Sequence, residues 1–330
     1  MRAVFLTMTV LFASVCGAAP ETALRIIEPW GAVFGGEPTI FHVEVKPDSP
    51  RTAKLGWALT VARRTVARRE VAIDDGKARI ELQVPPVRDG IHVRALLNVE
   101  LINAERSERT SATRVLHVFG KNPFADRRTW LRELDLRLFD PEKDTAKLFD
   151  EEEIPYGIVR DPRRLEDARG ILIVGEKREF QAKSSVLAAL AEFAERGGRV
   201  LVLAPGDGSL RLPGSEKDSK GKTPSVALRH ADVIHDLDKR LDAAGWPPEG
   251  KLATCGFALE SRHPDVVLSV RGEKEGWPWV SLDYPSGGRM ILCAFPVVET
   301  WAESPNARML FLAVLAEFAE YEERAGETEK

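Results

Sequence analysis

The sequence predicts a multidomain chain, a β-sandwich followed by an α/β domain with a mainly parallel sheet. Three observations carry that prediction. Through residues 24–119 apolar and polar residues alternate with a period of two, broken by Pro/Gly/Asp turns. Beyond Pro123 the pattern changes to apolar runs alternating with helical segments. The stretch Gly170–Gly208 then reads strand, helix, strand. Ile171–Val174 and Val200–Leu203 are apolar throughout, and Val186, Leu190, Phe193 and Ala194 between them share a helix face that Gly197 and Gly198 end. Strands apolar on both faces and joined by a helix imply a parallel sheet with covered faces.

The chain opens on a targeting segment, residues 1–18. Arg2 supplies the positive start and Val4–Val15 the apolar stretch. Cys16-Gly17-Ala18 then offers small residues for cleavage before Ala19. The apolar stretch is shorter than a membrane span of about 20 residues, and no later segment reads as a span. The expected mature protein is therefore exported, periplasmic or extracellular. Ala13-Ser14-Val15-Cys16 has the outline of a bacterial lipoprotein signal, but the branched Val15 before Cys16 argues against lipid anchoring there.

Strand candidates in the first domain, 24–119, are Leu24–Trp30, Thr39–Val45, Lys54–Val61, Thr65–Ile73, Ala78–Val84, Gly90–Leu101 and Thr110–Phe119. Gly35-Gly36, Pro47-Asp48, Asp74-Asp75-Gly76 and Arg88-Asp89-Gly90 separate them. Short strands at this spacing predict a two-sheet sandwich of immunoglobulin type, with Trp57 in its core and no cysteine pair of the antibody kind. The formal net charge is −4 and both signs are interspersed, so no broad basic field for nucleic acid is expected. The one basic cluster, ARRTVARRE at Ala62–Glu70, reads as the solvated face of a strand pair.

Gly120–Pro123 marks the boundary to the second domain, 124–322. Helices are expected at Arg127–Glu133, Glu142–Glu153 and Ala231–Ala244, with a short helix or turn at Pro162–Ala168. Strands are expected at Leu136–Asp140, Tyr156–Asp161, Lys251–Leu259, Val266–Val270, Trp277–Tyr284 and Arg289–Phe295. Leu210–Ser225 reads as a surface loop and Pro285–Gly288 as a hairpin turn. Ser304 is placed to cap a final helix with Pro305 at its first position. Met309–Phe318 is apolar almost all round and should bury itself against the sheet. A polar tail, 323–330, follows.

Ala168-Arg-Gly-Ile-Leu-Ile-Val-Gly175, Leu190-Ala-Glu-Phe-Ala-Glu-Arg-Gly-Gly-Arg-Val-Leu-Val-Leu203 and Gly288-Arg-Met-Ile-Leu-Cys293, with Trp301, Pro305, Arg308 and Leu312 beyond, carry a likeness. On them, the region from about Leu136 to Tyr321 resembles the class I glutamine amidotransferase-like domains of exported bacterial proteins. The resemblance implies a flavodoxin-like α/β unit, of a kind sometimes joined to glycoside hydrolases. Active members of that superfamily place a cysteine on a tight strand–helix turn and pair it with a histidine. Here Leu203 is followed by Ala204-Pro205-Gly206-Asp207-Gly208-Ser209, with no cysteine. Neither Cys255 nor Cys293 sits in a glycine-flanked elbow, and a nucleophile needs an adjacent base and backbone donors. The expectation is a degenerate member, a pseudoenzyme, with no catalytic residue, metal or cofactor. Cys255 and Cys293 read as buried free thiols.

Acidic residues end several of the expected strands: Asp140, Asp161, Glu176 and Asp207. In a parallel sheet they converge on one rim, where clustered carboxylates hold a cation or hydrogen-bond sugar hydroxyls. The plainer expectation is that each caps a helix or turn. Glu299 and Trp301 follow the last strand near the same rim, so the candidate ligand-binding set is Glu176, Asp207, Asp161, Glu299 and Trp301. Trp277 and Trp279 share a strand face and are expected in the core. Gly221-Lys222-Thr223 lacks the earlier glycine of a phosphate loop, since Glu216 stands there. His230 and His235 fall on different helix faces. His42, His92 and His117 lie on sandwich strands, where structural roles are the default.

The favoured expectation is an exported, non-catalytic binding or scaffold protein linked to polysaccharide processing, its partner a carbohydrate or another envelope protein. A carboxylate-based hydrolase, metal-assisted or not, working at the strand-end rim is the rival. A structural envelope protein is the third reading.

Overall fold

The structure is a computed structural model and describes residues 24–45, 54–102, 110–180, 185–211, 224–246, 252–260, 269–270 and 276–328. The expected targeting segment 1–18, Gly221-Lys222-Thr223 and most of the strand expected at Val266–Val270 lie outside the described residues.

Alternation in the first part closes into two sheets. Its strands are β1 (Leu24–Ile26), β2 (Ala32–Phe34), β3 (Pro38–Val45), β4 (Lys54–Val61), β5 (Arg64–Ala72), β6 (Lys77–Gln83), β7 (His92–Ile102) and β8 (Thr110–Phe119). One sheet runs β1-β3-β6 and the other β2-β8-β7-β4-β5. All pairs are antiparallel except β2 with β8. The residues that alternation points inward form one core: Phe41 and Val43 from β3, Leu55, Trp57 and Leu59 from β4, Ile80 and Leu82 from β6, Leu97 and Val99 from β7. β2 was not among the expected strands, being only three residues long and too short to show a period.

The second part contains α1 (Arg128–Glu133), β9 (Leu136–Phe139), α2 (Asp144–Glu151), β10 (Gly157–Ile158), β11 (Ile171–Val174), α3 (Ser185–Glu195) and β12 (Arg199–Leu203). There follow β13 (Ser209–Arg211), β14 (Ser225–Arg229), α4 (Val233–Leu237), β15 (Ala258–Glu260), β16 (Ser269–Val270), β17 (Trp279–Asp283), β18 (Arg289–Cys293) and α5 (Pro305–Thr328). A seven-stranded mixed sheet has the order β10-β9-β11-β12-β18-β17-β14. Its first five strands are mutually parallel, and β17 and β14 extend it antiparallel. β11 and β12 pair parallel as their apolar runs require, Ile171 against Arg199 through Val174 against Val202. β13, β15 and β16 make a small separate sheet.

Both faces of the mixed sheet are covered. Leu187, Leu190, Ala191, Phe193 and Ala194 of α3 pack on one face with Leu172, Val174, Val200 and Val202. Phe311, Leu315 and Phe318 of α5, with Phe149 of α2 and Leu131 of α1, pack on the other. α3 ends as its glycines dictate. Gly197 turns at φ 93°, and the Gly197 and Gly198 amides donate to the carbonyls of Ala194 and Phe193. Ser304 caps α5 as expected, its hydroxyl accepting from the Asn306 amide at 3.2 Å.

Several expected elements differ. The helix over Ala231–Ala244 is only α4 plus a 3-10 turn at Ala243–Gly245. Asp238 takes the Arg240 amide and guanidinium, and Asp242 takes the Ala244 amide, local bonds that compete with helix continuation. The strand over Lys251–Leu259 shrinks to β15, because the Thr254 amide donates to the Ala294 carbonyl while its hydroxyl reaches the Pro205 carbonyl. β14 (Ser225–Arg229) starts at the last residue of the expected surface loop and was not among the expected strands. The expected polar tail is mostly helix, since α5 continues to Thr328. No described helix is long and apolar enough to cross a membrane.

Candidate functional site

The chain leaves β9, passes through α2 to β10 on one side, and returns to β11 on the other side of β9. The strand order therefore reverses between β9 and β11, and such a reversal opens a crevice beyond the carboxyl ends of the strands. Asp140 follows β9 and Glu176 follows Gly175 at the end of β11. Gly175 lets the two approach: a Cβ there would lie 2.4 Å from Asp140 Oδ1. Asp140 Oδ2 accepts from the Ala146 amide at 2.8 Å, and the Glu176 amide donates to Thr145 Oγ1 at 3.1 Å. The first turn of α2 is thus bonded to both strand ends.

Glu176 is 2% exposed. One carboxylate oxygen accepts from the Val298 amide at 2.6 Å and the other from the Glu299 amide at 3.1 Å. Burial pushes its carboxyl up to about 7, and the two amides only partly counter that. Lys177 turns the chain at φ 65° and sends its Nζ to Asp144 at 3.0 Å. Beside this ion pair lies a crevice of about 470 Å³ lined by Glu142, Asp144, Lys177, Arg178 and Glu179. Arg178 Nε is buried beside it without a protein partner, and so is Asp140 Oδ1, which faces a separate cavity of about 440 Å³ between β9 and α2.

The other candidates are placed elsewhere. Asp207 accepts from the Phe180 amide at 2.6 Å, tying the loop after β12 to the loop after β11. Asp161 caps its own 3-10 turn through the Arg163 amide at 3.1 Å, and its ion pairs with Arg163 and Arg164 hold its carboxyl below the usual range. Glu299 is exposed and meets Glu176 through its backbone. Trp301 does not face the rim. It is 3% exposed, packed against Phe124, Phe311 and the Arg308 guanidinium. The rim set therefore does not converge on one cavity. Sequence reasoning missed Thr145, Lys177 and Arg178. The signal available for the last two was their place directly after an all-apolar strand.

Cys293 lies fully buried on β18, and desolvation pushes its thiol far up. Cys255 is half-buried and pushed up to about 11, again by burial. Both are free thiols. The described histidines have other partners: His42 with Glu28, His92 with His117, His230 tilted against Trp277, His235 with the Leu241 carbonyl. Trp279 is core, while Trp277 is half-buried under His230. Ala204, directly after β12, is a buried alanine at φ 28°. Among the described residues no group of three or more His, Cys, Asp or Glu is set to hold a metal.

Comparison with known proteins adds little. No family model matches the chain, and no curated protein matches it. Among solved structures, an engineered protein from a structural genomics consortium has a TM-score of 0.22 at 14% identity, covering 29% of this chain and 19% of that one. A structure of titin kinase and its flanking domains has a TM-score of 0.20 at 15% identity, covering 32% of this chain and 18% of that one. The chain thus spans about a fifth of the length of either, and likenesses at this level carry no argument about fold or function.

Proposed function

We propose that the chain is an exported, non-catalytic binding or scaffold protein of polysaccharide processing. Its first part is an immunoglobulin-like sandwich. Its second is a degenerate, flavodoxin-like amidotransferase unit that keeps a ligand crevice at the switch point. The parallel strands support the fold assignment: numbered within that unit, they stand in the order 2-1-3-4-5, the flavodoxin arrangement. One observation carries the non-catalytic reading. Each strand-end acid accepts a backbone N–H: Asp140 from Ala146, Asp161 from Arg163, Glu176 from Val298 and Glu299, Asp207 from Phe180. These carboxylates hold loops, and a carboxylate committed to a loop is a poor general base, since catalysis requires it to reach the substrate proton.

The rival, a rim hydrolase, draws on Glu176, whose titration near neutrality suits an acid or base. Its burial beneath the 296–301 segment weighs against it. Two measurements decide. The mature protein is titrated by thermal shift with neutral and acidic oligosaccharides, in parallel with R178Q. Saturable stabilisation that R178Q weakens supports the crevice. Pooled chromogenic ester, amide and glycoside substrates are also offered. Turnover that disappears in a folded E176Q protein would establish the hydrolase and end the binding-only reading.

A further inference from the structure

The basic cluster of the sandwich has a placement that the rim function does not use. β5 is the outer strand of a five-stranded sheet that faces one of only three strands. Every residue from Arg64 to Ala72 is exposed except the half-buried Ala67 and Val71, which pack against the sandwich core. Ala62 and Arg63, at φ 47° and 67°, form the two-residue turn that joins it to β4, the geometry of a type I′ hairpin. Arg63, Arg64, Arg68 and Arg69 are all exposed. Among the described residues none of the four has a carboxylate or hydrogen-bond partner, and the nearby Glu70 is paired with Lys54 at 3.3 Å.

Charge on an edge strand prevents edge-to-edge pairing, and the register shift at Leu59/Thr60 serves the same end. That accounts for charged side chains but not for their bias to arginine, Glu70 being the one acid on β5. Several other exposed arginines are neutralised, Arg25 by Glu44, Arg79 by Glu81, Arg88 by Asp126 and Arg163 by Asp161. Arg94, Arg127, Arg132 and Arg160 are exposed without an ion pair among the described residues, so what sets the hairpin apart is that four such arginines fall within residues 63–69. Along the turn and β5 four cations, Arg63, Arg64, Arg68 and Arg69, stand without an ion pair among the described residues over about 20 Å, in a chain whose net charge is −4.

We propose that this arginine ridge binds an acidic polysaccharide. Guanidinium forks match carboxylates bidentately. Thr60 and Thr65, paired across the hairpin, add hydroxyls for sugar hydrogen bonds. β5 carries no aromatic residue on which bases could stack. Val66, 48% exposed, is the single large apolar side chain exposed on it, too little for insertion into a bilayer. A polyanion with repeated charge and no need for stacking fits what remains. The proposal shares the carbohydrate reading above but uses a different surface, so R178Q and the ridge variants fail independently.

The test uses polygalacturonate on the mature protein, by biolayer interferometry at several salt concentrations, with neutral dextran as the blank. R63Q/R64Q/R68Q/R69Q is compared with R25Q/R79Q/R163Q/R164Q, which removes the same charge from paired positions. R68Q/R69Q serves as a lighter variant, and thermal unfolding verifies each fold. The ridge variant is expected to lose at least about 30-fold in affinity at about 50 mM salt, and the control less than about threefold. The slope of log affinity against log salt should fall by about three in the ridge variant, since each phosphate-like contact contributes close to one. Equal losses in ridge and control variants would overturn the proposal. So would duplex DNA or anionic vesicles binding the ridge more tightly than polygalacturonate.

Discussion

Glu176 is a buried acid held by two backbone amides in surroundings far from its ordinary ones. Its carboxyl, normally at 4.5, is raised to about 7 in the folded protein. The native state therefore holds this proton more tightly than the unfolded chain. That contribution to stability is complete below about pH 4.5 and is lost as pH rises through about 7, to an extent of about 3 kcal/mol at most. E176Q is expected to flatten the stability profile between those limits, measured as the difference from the native protein in denaturant titrations across pH. An unchanged slope would show that Glu176 does not titrate there. Asp161 and Asp207 were visible in the sequence as strand-end acids. What was not visible is that the same short carboxylates bond to amides within one or two turns or on adjacent loops, which only the loop paths determine.

At the scale of elements, close approaches of backbone decide which contacts form. The β17–β18 hairpin reaches the end of α3 at Gly288, where a Cβ would lie 1.8 Å from the Ala194 carbonyl oxygen. G288A is expected to cost about 2–4 kcal/mol through overpacking and a displaced helix end, read as a fall in the denaturation midpoint. A loss below about 0.5 kcal/mol would mean that the hairpin and helix separate freely. The Gly-Gly end of α3 and the parallel pairing of its flanking strands were legible because periodicity and glycine are local signals. α4 and β15 were misjudged because side-chain-to-backbone bonds at Asp238, Asp242 and Thr254 truncated them. Apolar spacing does not register such bonds.

Across the whole molecule, the two parts meet through charged side chains on aromatic rings. The Arg308 guanidinium donates to the carbonyls of Trp301 at 2.7 Å and Lys121 at 2.5 Å and lies over the rings of Phe34 and Trp301. At a second point Arg240, bonded to Asp238, lies 5.2 Å over Phe119, beside the His92–His117 pair joined at 3.0 Å. Burial and then Arg240 depress both imidazoles below 6.5. A base depressed on folding contributes stability that is present above its unfolded value and lost as pH falls through the folded one. This seam is therefore expected to weaken on acidification below about pH 6.5, opposite in sign to Glu176. H92N/H117N should remove that acid loss, and imidazole proton shifts followed by NMR should titrate below 6.5. Titration at or above 6.5 would exclude the effect.

Sequence alone determined the period change near Gly120, the alternating core strands, the parallel core of the mixed sheet and the capped final helix. All of these rest on side-chain patterns within one element and its solvent exposure. Tertiary structure alone decided that Trp301 faces inward, that the β4–β5 hairpin arginines have no ion pair among the described residues, and that Glu176 binds the amide of Val298, 122 residues away. Such contacts follow from strand order and loop path. A local pattern states which face of an element is apolar, but not which distant group will be laid against it.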